Sequence, residues 1–122
     1  MKSNDKVKIM KVYTSSTDKL KHSPLYEMIV FAARRQGIAG ATVYKGMMGY
    51  GSSSVVHSAK FWETNDKLPV VVELIDESAK IDVFFETIKP YLDSIRYGCL
   101  VTIEDATVHY FKTGNRKSIF NL

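Results

Sequence analysis

Cysteine is nearly missing from this chain: Cys99 stands alone. A single thiol excludes an intramolecular disulfide framework and a zinc site built from several thiolates, and it suits a reducing cytosol. Long apolar runs are missing too, since nothing approaches the roughly 20 residues that a membrane-spanning helix needs. Met1 to Lys6 lead into a short strand-like run, not the apolar core of a secretory signal. A soluble, unprocessed, cytoplasmic protein is expected. Histidine is sparse and scattered: His22, His57 and His109 form no i, i+4 pair and have no thiol nearby, so no metal site is expected within one subunit. No nucleophile, base and orienting group can be assigned. Ser52-Ser53-Ser54 lies close to His57, but loop serines are ordinarily just polar and catalysis requires rigid hydrogen-bond reach. The expectation is a non-enzyme with no catalytic residues.

Charge of one sign does not dominate either. The formal net charge of +4 favours anionic partners without choosing among nucleotides, nucleic acid and phospholipid. Basic residues are interleaved with acids and no basic stripe with stacking aromatics is apparent, which argues against nucleic acid. What the chain does have is an ordinary core-forming composition, 45% hydrophobic and 25% charged over 122 residues. That predicts one domain spanning 1–122.

Val7 to Thr14 mixes apolar and polar residues in rough alternation, the mark of a strand with one buried face. Ser23-Pro24 supplies an N-cap and a proline at the first helical position; Leu25, Met28, Ile29, Ala32 and Ala33 recur at helical spacing, and Gly37 stands where a left-handed cap is wanted. A helix from about Pro24 to Gln36 follows. Strand formers return at Ala41–Met48 and, most strongly, at Pro69–Ile75. The 49–68 segment between them is too long for a tight turn, and such loops are usually functional or mobile. Asp76-Glu77-Ser78 opens a second helix with Ile81, Phe84, Phe85, Ile88 and Leu92 as its apolar stripe, which Pro90 should kink or end early. Leu100–Glu104 and Ala106–Phe111 read as one or two strands around Asp105, followed by a basic tail over 113–122.

The order β-α-β-β-α-β predicts an α+β, ferredoxin-like fold: a four-stranded antiparallel sheet with two helices on one face. The other face needs cover, and self-association supplies it most simply.

Gly37-Ile38-Ala39-Gly40-Ala41-Thr42-Val43 followed by Gly49-Tyr50-Gly51 resembles the PII signalling proteins, which carry G-I-x-G-x-T-V and G-[FY]-G in the same order. The resemblance is closer to an uncharacterised branch of PII-like proteins in bacteria and archaea. It rests on Pro24-Leu25-Tyr26, Ala39 to Val43, Gly46-Met47-Met48-Gly49-Tyr50-Gly51, Val56-His57, Leu68 to Val71 and Ile75-Asp76. It spans about Val7 to Phe111. It implies a homotrimer with three clefts between subunits and a loop above each cleft that responds to nucleotide; for this branch it settles no ligand, and the expected effector is a small anion, an adenine nucleotide, bound in the clefts. An unidentified partner protein, with a membrane transporter as one option, would engage the loop. The glycine- and lysine-rich phosphate loop of PII proteins has only Ser94-Ile95-Arg96-Tyr97-Gly98 in its place, so a triphosphate grip is not implied. Ser52 to Leu68 contains no tyrosine, so tyrosine nucleotidylylation is not expected.

The expected ligand-binding residues are Thr42, Gly49, Tyr50, Gly51, Ser52 and Lys112. The glycines permit close backbone approach to an anion. By the resemblance Thr42 faces the adenine, and Lys112-Thr113-Gly114 is similar to the R-T-G whose arginine contacts phosphate. The competing readings are a strand end that simply turns, a surface strand threonine and, as for Lys45, Lys60 and Arg116, a solvated lysine. Phe61 and Trp62 are a docking pair for the partner, or they pack on a neighbouring subunit. Two rival functions share the fold. One is a trimeric protein responsive to divalent metal, similar to the divalent-cation tolerance proteins, with three copies of His57 as its ligands; the other is a small enzyme using the clefts.

Overall fold

The computed structural model describes residues 1–59 and 67–114. The expectations for Phe61, Trp62, Lys60, Arg116 and most of the basic tail lie outside those residues. Ten elements follow in chain order: β1 (Lys6–Ser15), β2 (Lys19–Leu20), β3 (Ser23–Pro24), α1 (Leu25–Arg35), β4 (Gly40–Lys45), β5 (Met48–Gly49), β6 (His57–Ser58), β7 (Pro69–Glu77), α2 (Ser78–Ser94) and β8 (Leu100–Thr107). Four of them form one antiparallel sheet in the order β4-β7-β1-β8, while β2–β3 and β5–β6 are two-residue ladders. No helix among the described residues is long and apolar enough to cross a membrane.

The expected ferredoxin-like sheet is therefore present. Directly opposed residues of an antiparallel pair share a face, and Met10 opposes Leu74 while Val12 opposes Val72. Those four pack with Leu25, Ile29 and Ala33 of α1 and with Ile81, Phe84 and Ile88 of α2 in one core. Each large side chain so buried contributes roughly 1.5–3 kcal/mol before chain entropy is counted.

Four local expectations are corrected. First, Pro24 is the N-cap of α1, without a side-chain cap bond, and Ser23 belongs to β3. Second, the strand continues two residues past Ile75 and α2 begins at Ser78. Asp76 stays in the strand because its carboxylate, 2% exposed, accepts the amides of Ala39 at 2.9 Å and Glu77 at 2.7 Å. Third, α2 runs through Pro90 to Ser94. Proline cannot donate to the Glu86 carbonyl, but both residues face solvent, where water replaces the missing partner. Fourth, β8 ends at Thr107, short of Phe111; of the two alternatives expected it is the single strand, with Asp105 inside it, opposite Lys8.

Gly37 performs its expected role. At φ +79° it lets the Ile38 amide reach the Ala33 carbonyl at 3.0 Å and its own amide reach Arg34 at 3.2 Å, the paired bonds of a Schellman stop.

Candidate functional site

Register decides where the long loop meets the rest of the chain. Ser15 opposes Pro69 and Tyr13 opposes Leu100, so the end of β1, the start of β7 and the start of β8 lie at one end of the sheet. The chain leaves β4 nearby. The Gly46 amide donates to the Pro69 carbonyl at 2.7 Å, and a Cβ on Gly46 would come within 2.8 Å of Pro69 Cγ. Only a residue without a side chain lets the strand exit pass this close. The Leu68 amide is held by the Ser16 hydroxyl at 3.0 Å, and the Leu68 carbonyl accepts the Ser16 amide at 2.8 Å.

These elements enclose a cleft of about 770 Å³. Tyr13 to Ser15 and Asp18 form one wall, Gly49 to Ser53 with Val55 and His57 a second, and Lys67 to Val70 a third. Arg96 to Leu100, between α2 and β8, close the fourth side. The volume suits a nucleotide-sized molecule.

Asp18 is 3% exposed, and its carboxylate accepts the Ser15 hydroxyl at 2.8 Å, the Thr14 hydroxyl at 3.0 Å and the Ser15 amide at 3.1 Å. Its own carbonyl accepts the first amide of α1, from Leu25, at 2.8 Å. A buried carboxylate with several donors is a fixed part of the wall. Its charge reaches Cys99. Desolvation by surrounding atoms, followed by repulsion from Asp18, raises the thiol pKa above its ordinary 9.0. Arg96 lies over the Tyr97 ring at 5.3 Å, a cation–π contact, and with Lys67 supplies the positive charge at the cleft. Among the described residues no three His, Cys, Asp or Glu side chains are grouped to hold a metal ion.

Gly49, Tyr50, Gly51 and Ser52 all line this cleft, as does His57, which opposes Gly49 in the β5–β6 ladder. Thr42 does not: it lies in the middle of β4, opposite Glu73. Lys112 does not either. It follows the β8 end that opposes Lys6, where the Phe111 amide donates to the Ser3 hydroxyl at 2.9 Å, so it lies at the other end of the sheet. Asp18, Lys67 and Cys99 were not anticipated, because they reach the cleft through strand pairing and not through any local motif. For Arg96 a signal existed: it sits in the short stretch that replaces a phosphate loop.

Solved structures with this sheet and helix arrangement include PII-like proteins. CPII from Thiomonas intermedia K12, described as a nitrogen regulatory PII-like protein bound to ADP, AMP and bicarbonate, aligns with a TM-score of 0.64 at 15% identity, covering 86% of this chain and 90% of that one. A putative PII-like signaling protein from Thermus thermophilus aligns at 0.60 and 16% identity, covering 84% and 89%. The fold is thus PII-like. Within it, the chain belongs to the DUF190 family (Uncharacterized ACR), which matches residues 7–108. It is 35% identical over 105 residues to a UPF0166 protein of Aquifex aeolicus, covering 86% of this chain and 95% of that protein. A second UPF0166 protein, from Methanocaldococcus jannaschii, is 33% identical over 108 residues, covering 88% and 96%.

Proposed function

We propose that this protein is a non-enzymatic PII-like regulator that binds an adenine nucleotide and reports it through the 49–68 loop. The observation that carries the reading is the meeting of Gly49–Ser52 with the Arg96–Gly98 turn at one cleft, on a fold whose solved neighbour CPII holds ADP and AMP. Backbone amides beside two glycines, with Arg96 and Lys67 close by, suit the phosphate end of such a ligand. Among the described residues two cations, Lys67 and Arg96, line the cleft, which favours mono- and diphosphates over triphosphates.

The protein acts as a homotrimer in this reading. The sheet face away from the helices carries Tyr44, Val71, Tyr13 and Leu100 in one row across all four strands, with Tyr44 54% and Leu100 56% exposed. A row of that kind needs cover. With the clefts lying between subunits, Thr42 and Lys112 reach the ligand from a neighbouring copy, which accounts for their distance from the cleft of their own chain. The partner protein recognises the loop, with Phe61 and Trp62 as its contacts.

Titration calorimetry with AMP, ADP, ATP, cyclic di-AMP and divalent metals tests the assignment. ADP and AMP should bind at micromolar concentration, ATP more weakly, and Trp62 fluorescence should change on binding. Saturable binding of a metal with no nucleotide bound at millimolar concentration would replace this reading with the metal-responsive one.

A further inference from the structure

Gly37 is the one described glycine with a left-handed backbone. Conformation therefore does not require glycine at position 98; what a side chain there would meet is the Ser52 hydroxyl. A Cβ at 98 would lie 2.5 Å from Ser52 Oγ and 3.5 Å from Ser52 Cβ, the first far inside van der Waals contact. Position 51 differs, with nothing within 4 Å of where its Cβ would be. The arm formed by residues 50–55 meets the turn between α2 and β8 at Ser52, where a side chain at 98 would force the Ser52 hydroxyl to rotate or the arm to shift.

The arm depends on that meeting. Among the described residues, its hydrogen bonds stay within the arm: the Ser54 amide donates to the Gly51 carbonyl at 2.9 Å, and the Val55 amide to the Ser53 hydroxyl at 3.4 Å. Ser54 itself is left-handed at φ +60°, which turns the chain back after Ser52. Nothing in that set ties the arm to Arg96, Tyr97 or Cys99 across the cleft.

We propose that Ser52 and Gly98 are a positioning pair: their contact sets how far the arm stands from the Arg96–Cys99 turn, and so how readily an anionic effector enters between them. The pair touches no reacting atom and acts through the spacing of the two walls. Its effect on effector affinity rests on the nucleotide reading above. Its effect on the arm of the free protein does not.

A double-mutant cycle tests the pair with two readouts, hydrogen exchange at the Ser54 amide of the free protein and calorimetric affinity for ADP. Gly98→Val should speed Ser54 exchange and weaken ADP binding, each by about tenfold, while amides of β1 and β7 keep their rates. In the Ser52→Gly background the same Gly98→Val change should alter either readout by less than about twofold, because the side chain it would strike is gone. Equal effects of Gly98→Val in both backgrounds, or none in either, would overturn the proposal. If the unmodified protein binds no ADP, the nucleotide reading fails and Ser54 exchange alone decides the pair.

Discussion

Gly51 and Cys99 show what single positions in the cleft wall contribute. Gly51 has neither a left-handed φ nor a neighbour within reach of an added Cβ, so the fold tolerates a side chain there. The close approach of the proposed nucleotide would not. Gly51→Val is expected to leave the melting temperature within about 2 °C and to weaken ADP binding by about tenfold or more. Parallel losses of stability and binding would make the glycine structural. Cys99 offers a pH test. The folded state holds the thiol proton more tightly than the unfolded chain does, because Cys99, though exposed, is partly desolvated by surrounding atoms and the Asp18 charge also disfavours the thiolate. Iodoacetamide alkylation of the folded protein should therefore rise with pH through a midpoint above 9.0, and that of urea-unfolded chain through the ordinary one. By linkage, this group's contribution to stability is complete below the ordinary thiol pKa and is lost as pH rises through the raised one. Coincident alkylation midpoints would remove both effects.

At the scale of elements, the outcome turned on what each local signal was competing against. Gly37 stops α1 as its position after Arg35-Gln36 suggests, since a left-handed cap is a local matter. Pro90 failed as a stop because the turns before it already anchor the helix through Ile81 and Phe84, and Ile88 extends that buried stripe. The helix thus carries a defect on its wet side. Pro90→Ala should stabilise the protein by roughly 1–3 kcal/mol, measured by urea denaturation, because it restores a hydrogen bond and relieves the ring against the Glu86 carbonyl. No gain would mean that the helix has already relaxed around the proline. Asp76 misled for the opposite reason: an acidic residue ahead of Ser78 reads as a helix start, yet its bonds to Ala39 and Glu77 become visible only once β4 and β7 are paired.

For the whole molecule the open sheet face is the feature with consequences. Below its apolar row, Thr42, Glu73, Lys11 and Thr102 form a polar row, and Lys11 pairs with Glu104 at 3.1 Å. The apolar row is then where packing of copies would gain most from exclusion of water. Leu100→Glu should convert the proposed trimer to monomer in light scattering at micromolar concentration, while circular dichroism keeps the folded signature. A trimer that survives this change would have its interface elsewhere. A wild-type monomer would remove the intersubunit cleft and leave Thr42 and Lys112 without a role.

Periodicity and turn chemistry in the sequence were enough for the order of the elements, because alternation, helical spacing and a capping glycine act over a few residues. They also singled out Gly49 to Ser52, which the structure places in the wall of a cleft. The other walls of the cleft come from residues far apart in the chain, and only strand register places Tyr13 beside Leu100 and Ser15 beside Pro69. The same register separates Thr42 and Lys112 from the cleft of their own chain. Sequence spacing carries no record of which strand ends lie together at one end of a sheet. Pairing decides that, since a shift of one residue would reverse every side chain between the core and the open face.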